Sequence, residues 1–445
     1  MNYLMIKNKN VDLKNTNKYY SQEYSNCFSD NIGKFGIDKD KFDFLMERLK
    51  KGQKKLKSDK ESGARYLNII DETDDIQELQ EITQEYRKFD DVIVFGTGGS
   101  SLGAEALNQI SKITKGIGYP KLHIITNIAP YTYQKVFSKI NFSNAGCIVI
   151  SKSGATVETI MQFLSIVPNL RKAVGSENLR DRITIVCQSG DSPLRRLGKT
   201  HNIRIIDQDP NISGRYSVFS VVGLLPAMIV GLSANEFRIG AKDILDDALN
   251  NDIYSVAPAI GSAIQVGLME KNINNSVLLA YSDRLGSLSR WYRQLWAESL
   301  GKDGKGSSPT YAIGPVDQHS QLQLWVDGPR DKFFTILRTE QDVQTVKIND
   351  EYLDCMDMEY IRGSSLIDLT NASCIATYQS LYKSGCPTRL ISMLDTEVSN
   401  MGALMMHYIL ETVFSAYLLD VNPFDQPAVE KGKKIARDLM TKAKT

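Results

Sequence analysis

Two stretches rich in glycine and hydroxyl side chains carry the residue types that bind anions. The first, Phe95-Gly-Thr-Gly-Gly-Ser-Ser-Leu-Gly103, follows a β-branched run and holds Gly99 and Ser100 at its turn. Glycine there lets the backbone approach a ligand, and the amides of a following helix face an anion. A dinucleotide fingerprint would need glycine where Ser101 stands, and the next strand ends in Thr126-Asn127 without the acid that grips a ribose. Nor does G-K-[ST] follow, and Gly301–Ser307, the nearest lookalike of a triphosphate-binding loop, fails at the lysine. A plain tight turn stays open for this stretch. The second, Val149-Ile-Ser-Lys-Ser-Gly-Ala-Thr-Val-Glu-Thr159, again leaves a strand and enters a helix. Ser151, Ser153 and Thr156 offer hydroxyls beside Lys152, a cradle suited to a phosphate monoester. A capped helix would need fewer of these small polar residues.

Paired, the two loops resemble the sugar isomerase (SIS-type) domain. Farther on, Ser213-Gly-Arg-Tyr-Ser217, Gln294-Leu-Trp-Ala-Glu298, Gln318-His-Ser320 and Phe424-Asp-Gln-Pro-Ala-Val-Glu-Lys-Gly-Lys433 are similar to motifs of the glucose-6-phosphate isomerase (phosphoglucose isomerase) family, in its shorter bacterial type. The matches keep the family's order from about residue 91 to about 435, while the first ninety residues match poorly. Ala155 stands where the family's loop commonly has a hydroxyl residue.

Aldose–ketose isomerisation moves a proton between C1 and C2 through a cis-enediol(ate). It needs one base reaching both carbons, a cation near the developing oxyanion, and an acid–base pair to open the ring. A grip on the distant phosphate supplies positioning. The resemblance implies that Glu298 is the base, Arg215 the cation, His319 the ring-opening histidine donated by a second subunit, and Lys433 its helper at the ring oxygen. It further implies substrate contacts from Gln294 and Gln426 and a phosphate site from Gly99, Ser100, Ser151, Lys152, Ser153 and Thr156. Glu298 lies seven residues after Trp291 and four after Gln294, so the three share one helix face, which predicts a partly desolvated carboxylate. Without the resemblance nothing singles it out among 52 acidic residues. The implied protein is a homodimer acting on a hexose 6-phosphate, with neither cofactor nor metal. A non-catalytic sugar-phosphate-binding regulator could dispense with Glu298, His319 and Lys433, as could no isomerase; an isomerase of another hexose phosphate is a further alternative.

The elements that must position these residues follow from periodicity. Short β-branched runs at Asp91–Phe95, Leu122–Ile125, Cys147–Ile150, Ile183–Cys187 and Ile203–Ile206 alternate with stretches long enough for helices. A second series runs through Val277–Tyr281, a helix from Leu288 to Leu300, Phe333–Leu337, a helix near Ala372–Leu381, Leu390–Leu394 and a long helix from Met401 to about Leu419. This order predicts an α/β fold: two layered α-β-α domains with mainly parallel sheets and a C-terminal helical extension. The expected division is a helical wrapping segment (1–90), a first sugar isomerase domain (91–235), a second (236–420) and a lysine-bearing helix (421–445).

Composition bounds the rest. The chain has 445 residues, 53 basic and 52 acidic, for a net charge of +1, so no overall field attracts nucleic acid or an anionic membrane. Its six cysteines form no C-x-x-C pair, as expected of reduced thiols in the cytoplasm, and its four histidines have no familiar zinc spacing. Met1–Lys7 is too short an apolar start for a signal peptide. Tyr216–Asn235 lacks charge over a bilayer's length, but its serines, glycines and proline predict a buried core helix.

Overall fold

The computed structural model describes residues 13–111, 118–340 and 346–442. Its strands are β1 (Lys14–Thr16), β2 (Tyr20–Glu23), β3 (Asp91–Phe95), β4 (Lys121–Ile125), β5 (Ala145–Ile150), β6 (Ile183–Cys187), β7 (Arg204–Asp207), β8 (Asn275–Ala280), β9 (Ser308–Ile313), β10 (Lys332–Thr339) and β11 (Thr388–Met393). They form two sheets, ordered β4-β3-β5-β6-β7 and β1-β2-β11-β10-β8-β9.

Every pairing in the first sheet is parallel, and helices fill its crossovers. Its central strands are buried on both faces, which is why β5 and β6 read as unbroken apolar runs. Along β3 the side chains alternate: Val92 and Val94 join the core between the sheets, while Ile93 and Phe95 join a cluster on the far face. The order reverses between β3 and β5. Loops leaving the carboxyl ends of two such strands open a crevice, and these two loops are the glycine and hydroxyl stretches.

The second sheet departs from expectation at both edges. Residues 1–90 read as helices, and helices do occupy Lys39–Glu61 and Asp74–Tyr86, but β1 and β2 form a hairpin whose β2 pairs antiparallel with β11. The sequence Tyr-Ser-Gln-Glu hides a strand because its buried Gln22 is polar. Gln22 is satisfied there, accepting from Arg389 Nη1 at 3.1 Å and donating to the Ala257 carbonyl at 3.2 Å. The other unforeseen strand, β9, is an edge strand that tolerates Pro309. In the Lys39–Glu61 helix Phe42, Leu45 and Leu49 are buried as their spacing implies, whereas Phe44 faces outward.

The uncharged stretch from Tyr216 supplies the helix Val221–Ile229, with every residue buried. Among the described residues one helix, Val398–Leu419, is long and apolar enough to cross a membrane, and 83% of its apolar window is buried inside the protein. It packs against the helices Ala234–Asn250 and Ala257–Met269 in the core between the sheets.

Candidate active site

The glycine loop, the Arg215 segment and the Gly286–Leu300 helix converge. At Gly99 an added Cβ would stand 2.2 Å from the Gly214 carbonyl carbon, so only glycine lets the two backbones meet. At Gly98, which has a positive φ of 60°, it would stand 2.8 Å from Gln294 Nε2. Ser217 Oγ reaches across the junction to the Gly99 carbonyl at 3.4 Å and also donates to the Gly214 carbonyl of its own segment at 2.7 Å. Ser100 is half-buried at the mouth of the same turn.

Arg215 is 2% exposed, and its guanidinium organises the cluster. Nε donates to Ser299 Oγ at 2.9 Å, and Nη2 donates to the carbonyls of Pro423 at 2.6 Å and Asp425 at 2.8 Å. Nη1 makes two longer contacts, 3.3 Å each, to Glu298 Oε2 and Gln426 Oε1. Gln294 Nε2 holds the other carboxylate oxygen of Glu298 at 2.9 Å. The Gly286–Leu300 helix buries Trp291, Leu295 and Trp296, and Gln294 and Glu298, half-buried, flank that stripe at its border with the crevice. The Glu298 side chain stays 32% exposed, open to a ligand. A carboxylate held between an amide and a guanidinium can take a proton from carbon and return it, and the cation beside it can meet a developing oxyanion.

The hydroxyl loop forms a second cluster at the end of β5. Ser151 is buried, with Oγ donating to Thr156 Oγ1 at 2.9 Å and accepting from the Thr156 amide at 3.4 Å. Ser153 Oγ accepts from the Ala155 amide at 3.2 Å and is exposed, ahead of the helix Val157–Val174. The loop thus presents hydroxyls at a helix N-terminus. Lys152 connects the clusters: burial lowers its pKa, Asp209 opposes that, and the positive charge of Arg215 adds to it. Two cations within each other's field create the local positive potential that the near-neutral chain lacks as a whole.

Two expected residues are not brought to Glu298 within the chain. His319 is exposed on the helix Val316–Asp327, where neighbouring Gln318 accepts from the Tyr281 hydroxyl at 2.6 Å. Lys433 is exposed on the helix Glu430–Lys442 and pairs with Glu430 at 2.7 Å. Conversely, Ser299 and Lys302 stand in the cluster without having been anticipated. Ser299 follows the candidate base directly. Lys302 lies in Gly301–Ser307, a stretch compared only with nucleotide loops. Among the described residues no group of three or more His, Cys, Asp or Glu side chains is placed to hold a metal ion.

Two mainly parallel sheets, a glycine loop and a hydroxyl loop at a strand switch, and a Glu–Arg–Gln cluster against the glycine loop make up the architecture of a sugar-phosphate isomerase of the layered α/β class. The phosphoglucose isomerase family model matches residues 65–320, a span holding both loops, Arg215, Glu298 and His319. The chain is 35% identical to the glucose-6-phosphate isomerase of Rubrobacter xylanophilus over 78% of this chain and 81% of that one. It is 30% identical to that of Carboxydothermus hydrogenoformans over 97% and 94%. A solved glucose-6-phosphate isomerase of Chlamydia trachomatis superposes with a TM-score of 0.78 over 96% of this chain and 90% of that one, at 19% identity, which shows the shared fold. The chain belongs to the phosphoglucose isomerase family.

Proposed function

We propose that this protein interconverts D-glucose 6-phosphate and D-fructose 6-phosphate through a cis-enediol(ate), serving glycolysis and gluconeogenesis. The observation that carries the reading is the Glu298 carboxylate, held by Gln294 and Arg215 across from the glycine turn, with the hydroxyl loop at the adjacent strand end. In this mechanism Ser151, Ser153, Thr156 and Lys152 grip the phosphate, with Gly99 and Ser100 closing over the sugar. Glu298 removes the proton at C2 of the open aldose and delivers it to C1. Arg215 exchanges its long Nη1 contacts for the enediolate oxygen, while Gln294 and Gln426 orient the substrate.

Ring opening falls to His319 and Lys433 in an assembled homodimer, His319 coming from the second copy. In support, the helix Glu430–Lys442 is fully exposed on the single chain, with Ile435, Leu439 and Met440 half or more exposed. Apolar side chains at such a density call for a covering surface. All six cysteines are unpaired and five are buried, in keeping with a reducing, cytoplasmic setting.

The test is Glu298→Gln in a coupled assay that follows glucose 6-phosphate formed from fructose 6-phosphate. Turnover should fall by about 10²–10⁴-fold while the variant stays folded, since the amide keeps the shape but cannot carry the proton. Retained turnover would remove Glu298 from the mechanism.

A further inference from the structure

The loop that closes over Arg215 is built from carbonyls, each taken by a side-chain donor. Lys302 Nζ donates to the Asn422 carbonyl, and Arg215 Nη2 and the Tyr216 hydroxyl donate to that of Pro423 at 2.6 and 3.3 Å. Ser213 Oγ donates to the Phe424 carbonyl at 3.0 Å, and Arg215 Nη2 to that of Asp425 at 2.8 Å. The segment lies between the helices Val398–Leu419 and Glu430–Lys442 and has no ladder to hold it. Within it the Asn422 side chain donates to the Asp425 carboxylate at 3.1 Å and accepts from the Phe424 amide at 3.0 Å, and the outside donors satisfy its carbonyls and tie it to Arg215.

Lys302 reaches this cage from the end of the helix that carries Glu298. Its ammonium donates to the Ser299 carbonyl at 2.9 Å and to that of Asn422, and pairs with the Asp425 carboxylate at 3.1 Å. A lysine has three N–H donors, and these three acceptors use them all, so none is left for a substrate. The side chain is 11% exposed. Burial lowers its pKa, the Asp425 bond opposes this, and Arg215 and Glu298 act on it with opposite signs. The ammonium therefore feels both reacting-site charges while touching neither.

We propose that Lys302 is a positioning residue for the isomerisation: by tying Asn422 and Asp425 to the end of the catalytic helix it shuts the carbonyl cage on one edge of Arg215 and aims the other edge at the reacting oxygen. The three short bonds fix the Nε and Nη2 edge, leaving the two 3.3 Å contacts of Nη1 as the ones a substrate displaces. A released loop lets the guanidinium swing, and a group misplaced by about 1 Å costs up to about 100-fold. The inference rests on the reading of Arg215 as the cation that stabilises the enediolate.

The experiment compares Lys302→Met, Asp425→Asn and Arg215→Lys, singly and with each of the first two combined with the third, in the full-length protein. Lys302→Met should lower kcat by about 10- to 100-fold with KM within about threefold, because an interaction realised in the transition state is lost. Asp425→Asn, which keeps every backbone carbonyl, should shift kcat in the same direction by less. In the Arg215→Lys background both effects should shrink to within about twofold, the mark of action through Arg215. Native kcat in Lys302→Met, or an equal loss in both backgrounds, overturns the proposal. Should Lys302→Met not fold, Asp425→Asn decides by the same criteria. Native kcat in Arg215→Lys itself would instead bring down the reading of Arg215, and this proposal with it.

Discussion

Away from the crevice, Arg389 and Glu411 form a fully buried ion pair whose two contacts are 2.9 and 3.0 Å. Gln265 and His407 also donate to Glu411, at 2.5 and 2.7 Å, and the Tyr20 hydroxyl donates to the other ring nitrogen of His407 at 2.7 Å. Burial alone would raise the Glu411 pKa, but Arg389 and His407 outweigh it and hold it at about 2. Burial lowers that of His407, in keeping with a neutral ring. Both effects act in one direction on acidification. The Glu411 contribution is intact above its unfolded value near 4.3 and lost as pH falls toward 2, and an unfolded His407 gains a proton below about 6.5 that the native ring resists. Melting temperature should therefore decline from about pH 6.5 to about pH 3, and Glu411→Gln should cost about 3–5 kcal/mol at neutral pH by stranding Arg389. Thermal melts across that range check both; a flat profile would contradict them. At this scale the sequence is legible where residue type and spacing carry chemistry, as in Ser151, Ser153 and Thr156. Glu298 was singled out through its motif alone, because a helical glutamate carries no local mark of a catalytic role. Lys302 had no mark at all, since the Asn422 carbonyl and Asp425 carboxylate that it holds lie more than a hundred residues away.

Among the elements, the central strands declared themselves because a strand buried on both faces must be apolar throughout, as β5 and β6 are. The two unforeseen strand regions are edge pieces whose polar residues find partners only in the folded chain: Gln22 with Arg389, and the Pro309 strand on the open side of β8. The helix Gly286–Leu300 was readable from its Trp291, Leu295 and Trp296 stripe. Contact between the glycine loop and the Arg215 segment was not readable, being a meeting of backbones distant in sequence. That contact makes a sharp prediction. Gly99→Ala must push the loop off Gly214, costing about 1–3 kcal/mol of stability and displacing Arg215 along with it. Denaturant melts and kcat measured together should both fall; native values for both would show that the junction gives way freely.

For the whole molecule the two-layer architecture was legible from the repeated strand-then-helix order, whereas the joining of the N-terminal hairpin to the second sheet was not. The proposed assembly bears on two residues that the single chain leaves apart from Glu298. Glu298 lies in the crevice while His319 and Lys433 are exposed on separate helices. If His319 crosses to the partner's site, Glu298→Gln and His319→Ala homodimers are each inactive, yet each mixed dimer holds one intact site. Unfolding and refolding an equal mixture should return roughly a quarter of native activity, with light scattering reporting a dimer. No recovery from a demonstrably mixed dimer would place the histidine within its own subunit.

The central claim, that one carboxylate carries hydrogen between neighbouring carbons, is tested most directly by isomerisation in deuterium oxide. Native protein should wash deuterium into C2 of glucose 6-phosphate and C1 of fructose 6-phosphate, since a base open to solvent trades its proton before returning it. Glu298→Gln should still bind the hexose phosphate and lose that exchange together with turnover. Label entering the sugar at the native rate in that variant would contradict the account.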